Sequence, residues 1–589
     1  MGHKTKSAVW AVGQTITAIL LTCALFFLIP FQKEKEHELH ILSTNDVHGA
    51  WFDSTYVGSR VRPSLVCANA VIDSVRNLYD RKNVLLIDAG DCLQGDNAAY
   101  YYNYVETRKV HLYPRIAKYM GYDAVVVGNH DVETGHAVYD RVSAQMKRLG
   151  IPFLAGNAIR DDNGKPYWPE YKVFRRAGLK VLVLGYTNAN IAAWLDEEIW
   201  SGMHFESLMP FVQGRVDALR GKLHPDVVIV AVHSGTGRGD GSQLESQGLD
   251  LFNSLRGVDA VICSHDHHPL VLQNDSSILL NSGSRAHNVA HGVIKAGTRG
   301  RKLVSKIYGA ELLYVDKFKA DAGMRHEFSA DFNAVKAFTV REIGGSSCDL
   351  SMRDAFTGQC PMLNLIHSVQ LRSTGADISF AAPLSQNGFV PAGKLIYNDL
   401  FVIYPYENTL FKVRLTGAQI RSYLEYSYEQ WVNDPIKTGH ALKIRNARDP
   451  RFGRESWSFV HRSYNFDSAA GLNYTVDLLK PFGERVSVSG LADGRAFDET
   501  AEYSVAMTSY RASGGGGLLS GGAGVDPSKV EVLGKYPEIR DLIYQYISEN
   551  GALEEPKFSD PRVVGEWRFV PEVTVRPFIE LDMNRLFGR

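Results

Sequence analysis

The chain has 589 residues and a formal net charge of −1, with 64 Lys and Arg set against 65 Asp and Glu. That balance gives no electrostatic steering toward nucleic acid, so no nucleic-acid partner is expected, and the length allows two or three domains. Six cysteines are too few for a disulfide scaffold in a chain of this length, and with no C-x-x-C pair a thiolate zinc site is not expected.

Lys4 and Lys6 precede an uncharged run from Ala8 to Pro30. A positive flank before an apolar segment is the export pattern, and this run is long enough to span a bilayer as a helix. No small-x-small cleavage site follows it. Residues 1–37 are therefore expected to form an uncleaved signal anchor and linker, with a cleaved signal as the alternative. Either places the bulk of the chain outside the cytoplasm, periplasmic or extracellular, and the anchor would tether it to a membrane.

From 38 to 315, apolar strands alternate with amphipathic helical stretches. The strands read "ELHILSTND", "NVLLIDAGD", "DAVVVGNHD", "KVLVLGY", "DVVIVAVHSG", "VDAVICSHDHH" and "SILLNSGS". Alternation of this kind predicts an α/β layered domain with buried sheets. Residues 316–345 read as a helix-biased connector. A smaller domain mixing helices and strands is expected over 346–555, and the tail, 556–589, shows no clear pattern. The Gly-rich "SGGGGLLSGGAG" lacks the Gly-Lys-Ser/Thr ending of a phosphate-cradling loop and reads as flexible backbone or close approach to a ligand. Cys348 and Cys360 flank a polar loop and could form a local disulfide or remain two free thiols.

Five strands of the first domain hand over directly to residues with metal-ligand chemistry: Asp46 and His48, then Asp91, then Asn129 and His130, then His233, then His265 and His267. In open α/β sheets ligands bind beyond the carboxyl ends of the strands, so parallel strands would gather these residues on one rim. Asp46/His48 and His265/His267 are spaced i, i+2, which in an extended segment points both side chains the same way. Carboxylates, an amide oxygen and imidazoles suit zinc, manganese or iron better than calcium. With water, the set can fill two sites. Two cations a few ångströms apart need an anionic bridge, and Asp91 is the central candidate. Any one of these residues alone reads as an ordinary strand-end side chain; five strand ends together do not. His268, Asp88, Asp131 and Asp266 are read as neighbours that hydrogen-bond ligands or face water.

The blocks "STNDVHG", "IDAGDCLQGD", "VGNHDVETG", "AVHSG" and "SHDHH" resemble, in order, those of the calcineurin-like metallophosphatases. More narrowly they resemble the 5′-nucleotidase family, which includes UDP-sugar hydrolases and 2′,3′-cyclic nucleotide phosphodiesterases. "TGADISFA", "PAGKLIYNDLFVIYPYENTLFKVRLTG" and "YSVAMTSYRASGGGG" resemble that family's C-terminal domain. The resemblance implies a layered β-sandwich metallophosphatase domain flanked by helices, followed by the smaller α+β domain. It implies one divalent metal on Asp46, His48, Asp91 and His267, and a second on Asp91, Asn129, His233 and His265. A metal-bridging hydroxide would attack the phosphorus of a nucleotide or related phosphate ester. His130 would stay off the metals and stabilise the transition state or protonate the leaving oxygen, oriented by Glu133. Tyr406 and Tyr510 match the family's base-stacking aromatics.

The second domain also departs from the family. The usual "NGGGIR" block is "AAPLSQN" here, ending at Asn387, and the acidic ribose ligand of the Gly-rich block is replaced by Gly516. Asn387 and Arg511 are candidates for substitute substrate contacts. The alternative activities are a 2′,3′-cyclic nucleotide 2′-phosphodiesterase/3′-nucleotidase and a nucleotide-sugar pyrophosphatase. A non-catalytic binding protein retaining the fold would be expected to show decayed ligands, and none is decayed.

Overall fold

The computed structural model describes residues 34–300, 302–317, 319–448 and 455–588. The expected signal anchor lies outside the described residues. Among the described residues, no helix is long and apolar enough to cross a membrane.

Twelve strands build the two main sheets of the first domain: β1 (Lys35–Thr44), β2 (Val84–Asp88), β3 (Ala124–Val126), β4 (Phe153–Leu154), β5 (Tyr171–Arg176), β6 (Leu179–Tyr186), β7 (Val227–Val232), β8 (Ala260–Ile262), β9 (Leu270–Gln273), β10 (Ile278–Asn281), β11 (Asn288–Arg299) and β12 (Lys302–Tyr314). They form two six-stranded sheets, ordered β12-β11-β1-β2-β3-β4 and β9-β10-β8-β7-β6-β5. β1 to β4 run parallel, as do β6, β7, β8 and β10, and antiparallel strands close both edges of the second sheet and one edge of the first.

The period-2 alternation of apolar side chains decides how the sheets stack. Ile41, Leu85, Ile87, Val126, Val183, Ile229, Ala231 and Ile262 point between the sheets into one fully buried core. The intervening residues face outward. On one side Leu42, Leu86 and Val125 pack beneath the helix Leu65–Tyr79, and on the other Val228, Val230 and Val261 pack beneath the helix Leu208–Leu223. Strands buried on both faces explain the near-continuous Val/Ile/Leu runs of the sequence. Ser64 caps the first helix by accepting from Cys67 N.

The helices Ala322–Glu327 and Ser329–Thr339 lie against the first domain through Met324, Phe328 and Val335. The second domain centres on a five-stranded sheet of Ser468–Ala470, Ile378–Ala381, Glu502–Thr508, Thr409–Thr416 and Val532–Glu538. The helix Pro361–Thr374 starts at the Cys360 cap, and Gly417–Trp431 starts with a Thr416/Gln419 capping box. The tail belongs to this domain. Trp567–Val570 pairs parallel with Leu472–Asp477, and the final helix, Glu572–Phe587, buries Asp582. The Asp582 carboxylate accepts from Ala441 N at 2.7 Å and Leu442 N at 3.0 Å.

No Cys348–Cys360 disulfide forms. Both thiols are free: Cys348 turns to Ser346, and the Cys360 sulfur accepts from Leu363 N at the helix start.

Candidate metal centre

The carboxyl ends of β1, β2, β3, β7 and β8 bring the predicted residues together. Asp46, His48 and His267 form one donor group, and Asp91, His233 and His265 a second, with the donor atoms of each lying within 4.8 Å of one another. Asn129 joins the second group, its Oδ1 standing 2.9 Å from both His233 Nε2 and His265 Nδ1.

Backbone bonds bind the two sheet rims into one floor. Asp46 N donates to Gly90 O and His48 N to Asp91 O, each at 2.9 Å. Across the sandwich, His265 N donates to Asp46 Oδ2 at 2.8 Å, and Arg285 N to Asp46 O at 2.8 Å. The backbone is bent to hold the donors inward. Asp46, His48, Asp91, His265 and His267 all have positive φ, between 49° and 71°. This left-handed region is disfavoured for residues with a Cβ, and such strain clusters at functional sites. Gly128 has to be a glycine, because a Cβ there would come 2.1 Å from Asp91 Oδ1.

The site holds ligand-type oxygens that make no hydrogen bond. Asp46 Oδ1 and Asp91 Oδ2 are buried without a hydrogen bond. His48 Nε2 faces His267 Nε2 at 2.9 Å, and His233 Nε2 faces Asp91 Oδ2 at 3.1 Å. His233 Nδ1 lies 2.8 Å from Ala89 O, which fixes its proton there and turns the Nε2 lone pair inward. Burial lowers the His48 pKa, takes His265 to about 3 and His267 to about 4, so these rings stay neutral. Burial would raise Asp91, but the charges of His233 and His130 hold it well below the usual carboxylate range. Burial lowers His233 while Asp91 draws it up to about 9, a field that a divalent cation would meet in place of the proton. Buried anions and inward lone pairs without partners are costly unless a cation sits among them, so the donor set fits divalent metal.

His130 stands beside the two groups, on the short helix Asn129–Glu133. Its backbone N–H donates to Asp91 Oδ1 at 2.8 Å, and its Nδ1 pairs with Glu133 Oε2 at 2.5 Å. Nε2 is left for the centre, with the ring edge-on to His48 at 5.4 Å. Burial pulls its pKa down, but Asp91 and Glu133 outweigh burial and raise it to about 10. Gln94 Nε2 donates to Glu133 Oε2 at 2.8 Å and steadies the pair.

Among the neighbours, His268 is exposed, and Asp266 accepts from Thr236 N and Asn281 Nδ2. Asp88 accepts from Thr44 Oγ1 and Gly90 N. Asp131 does more than its position in the sequence suggested. Its buried carboxylate accepts from Gly128 N, Asp91 N, Cys92 N and Leu93 N at 2.8–3.0 Å. Asp131→Ala strands four amides and is expected to cost about 3 kcal/mol or more, read by urea denaturation.

The second-domain candidates separate. Tyr406 is half-buried and meets Tyr464 edge-on with centroids 6.2 Å apart; sequence reasoning passed over Tyr464. Tyr510 lies against Gly515, where a Cβ would come 2.4 Å from its ring, so this glycine of the rich loop makes room for an aromatic side chain. Arg511 has no donor left for a substrate. Its Nε and Nη2 pair with Asp467 at 2.9 and 2.8 Å, Nη1 donates to Asn465 Oδ1 and Gly515 O, and Nη2 also donates to Tyr464 O. Asn387 Oδ1 is taken by Arg353, which lies over Phe587 of the final helix. Two further residues carried no strand-end signature: Trp194 stacks on His265 at 5.2 Å, and the exposed Arg285 follows β10.

Two helix-flanked sheets whose parallel strands end in a paired carboxylate–imidazole centre define a metal-dependent phosphoester hydrolase. Residues 39–269 match the calcineurin-like phosphoesterase family model, and residues 335–520 match the 5′-nucleotidase, C-terminal domain. The chain thus carries a calcineurin-like phosphoesterase domain followed by a 5′-nucleotidase C-terminal domain. It is 23% identical to the 2′,3′-cyclic-nucleotide 2′-phosphodiesterase/3′-nucleotidase of Haemophilus influenzae, over 94% of this chain and 91% of that protein. It is 22% identical to the trifunctional nucleotide phosphoesterase protein YfkN of Bacillus subtilis, over 90% of this chain but only 39% of that protein's length. The fold matches a putative 5′-nucleotidase from Staphylococcus aureus with a TM-score of 0.73 at 22% identity, over 90% of this chain and 99% of that one.

Proposed function

We propose that this chain hydrolyses phosphate esters of nucleotides at a centre where two divalent ions would be held, with Asp91 contributing to both sites. The observation that carries the reading is the pair of donor groups around Asp46 Oδ1 and Asp91 Oδ2, two buried oxygens that make no hydrogen bond. Asp46, His48 and His267 would complete one site with Asp91; Asn129, His233 and His265 would complete the other. Two divalent ions of zinc, manganese or iron supply Lewis-acid polarisation of phosphoryl oxygens and an acidified water.

The chain's own residues do the rest. Ala89 O fixes the His233 tautomer, and Trp194 holds the His265 ring. Glu133 and Gln94 orient His130, whose Nε2–H is free to donate to the ester oxygen that gains charge. Glu133→Gln removes one anion that keeps His130 protonated. The alkaline limb of the kcat/KM profile is therefore expected to move to lower pH, with kcat reduced about tenfold.

Tyr406 and Tyr510 would hold the base, giving affinity with little base selectivity. Export to the periplasm or cell surface, with membrane tethering, rests on the charge pattern of the first 37 residues. A second reading, hydrolysis of 2′,3′-cyclic nucleotides and 3′-nucleotides, is favoured by the loss of the "NGGGIR" block and by the activity for which the Haemophilus relative is named.

The test is product release from AMP, 2′,3′-cyclic AMP, nucleotide sugars and bis-p-nitrophenyl phosphate with added manganese or zinc. Hydrolysis is expected for at least one nucleotide. Tyr406→Ala should raise KM for that nucleotide about tenfold and leave bis-p-nitrophenyl phosphate within twofold. No turnover of any panel member by metal-loaded protein would refute the reading.

A further inference from the structure

A cavity of about 450 Å³ lies at the contact between the two domains, lined by Tyr56, Arg60, Arg62, Asp96, Asn97, Arg285, Asn398 and Phe401 among others. It adjoins the metal centre on the His48 side. Gly95, part of its wall, approaches so close that a Cβ there would come 2.9 Å from His48 Cβ, and Arg285 N bonds Asp46 O. The Asn97–Asn398 hydrogen bond, at 3.0 Å, closes it between the domains.

Its charge is unbalanced. Three guanidinium groups face one carboxylate, Asp96, and that carboxylate is already spoken for. Asp96 Oδ2 accepts from Arg62 Nη1 at 2.7 Å, while Oδ1 accepts from Tyr56 OH at 2.8 Å and Ala98 N at 3.0 Å. Arg62 is fixed by this pair and by Nε donating to Phe52 O at 3.0 Å, yet its Nη2 is buried with no partner. Among the described residues, the side chains of Arg60 and Arg285 make no hydrogen bond or ion pair. Unneutralised arginines held around a concave wall, one of them rigidly, are an anion receptor. Tyr56, Val57 and Phe401 add ring and aliphatic surface to the wall, and Thr55, Asn97 and Asn398 complete it with polar groups.

We propose that this cavity binds a second phosphoryl group of the substrate while the first sits at the metal centre. The proposal rests on the phosphoesterase reading. It makes the enzyme selective for doubly phosphorylated nucleotides, with Arg60 and Arg285 as the gripping residues and Arg62 as the fixed one. Free phosphate, the reaction product, offers the same chemistry, and the two sources separate by kinetics.

The first arm compares kcat/KM for adenosine 3′,5′-bisphosphate with that for AMP. The wild type is expected to favour the bisphosphate, and Arg60→Gln and Arg285→Gln each to lower that ratio about tenfold. If phosphate alone uses the cavity, the ratio stays fixed and only product inhibition weakens in the variants, which overturns the substrate claim. The second arm needs no catalysis. Chelator-treated protein is titrated with inorganic phosphate and pyrophosphate by calorimetry. Binding to the wild type, weakened about tenfold in Arg60→Gln, is expected even if neither nucleotide is turned over. Equal affinity in wild type and variant, or no binding to the wild type, overturns the proposal.

Discussion

Asp91→Asn is expected to lower the bound metal from two ions per chain to one or none, and kcat by about 10³-fold. The isosteric amide can still accept from His130 N through Oδ1, so the loop keeps its shape. What disappears is the charge at Oδ2, the buried oxygen without a hydrogen bond. Without that anion, two cations at this spacing repel each other unscreened. The metal-free fold is expected to be somewhat less stable than the wild type, because His233 and His130, whose charges hold the Asp91 carboxylate ionised, lose their buried partner. Metal analysis by mass spectrometry, with chelator-treated samples melted in parallel, reads both effects. Full occupancy with kcat within tenfold of the wild type would remove Asp91 from the bridge.

His130→Asn should give the complementary result. Its metal content is expected to equal that of the wild type while kcat drops by about 10²- to 10⁴-fold and KM moves only a fewfold. The imidazole contacts Glu133, not a donor group, through Nδ1, so its loss removes a proton donor and not a ligand. A variant that loses metal along with activity would place His130 in the coordination sphere instead.

The sequence carried the convergence of the donor residues well because each donor is tied to a strand end. A parallel strand buried on both faces is a continuous apolar run, and the first polar residues after it must lie on the rim. Nothing local revealed how the rims meet. The bonds from His265 N to Asp46 and from His233 to Ala89 O join segments 219 and 144 residues apart. Asp131 looked like a bystander because its partners are backbone amides, which leave no mark in the side-chain pattern. Arg511 looked available because Asp467, which occupies it, lies 44 residues upstream and is buried with it. The tail showed no pattern because its strand and helix complete a sheet and core laid down a hundred residues earlier. Arg285 was missed because it follows a strand end with none of the ligand residue types.

Anomalous X-ray scattering from crystals grown with manganese or zinc tests the dinuclear centre most directly. Two peaks about 3.5–4 Å apart are expected. One should touch Asp46, His48 and His267, the other Asn129, His233 and His265, with Asp91 reaching both. A single peak, or peaks elsewhere on the chain, would contradict it.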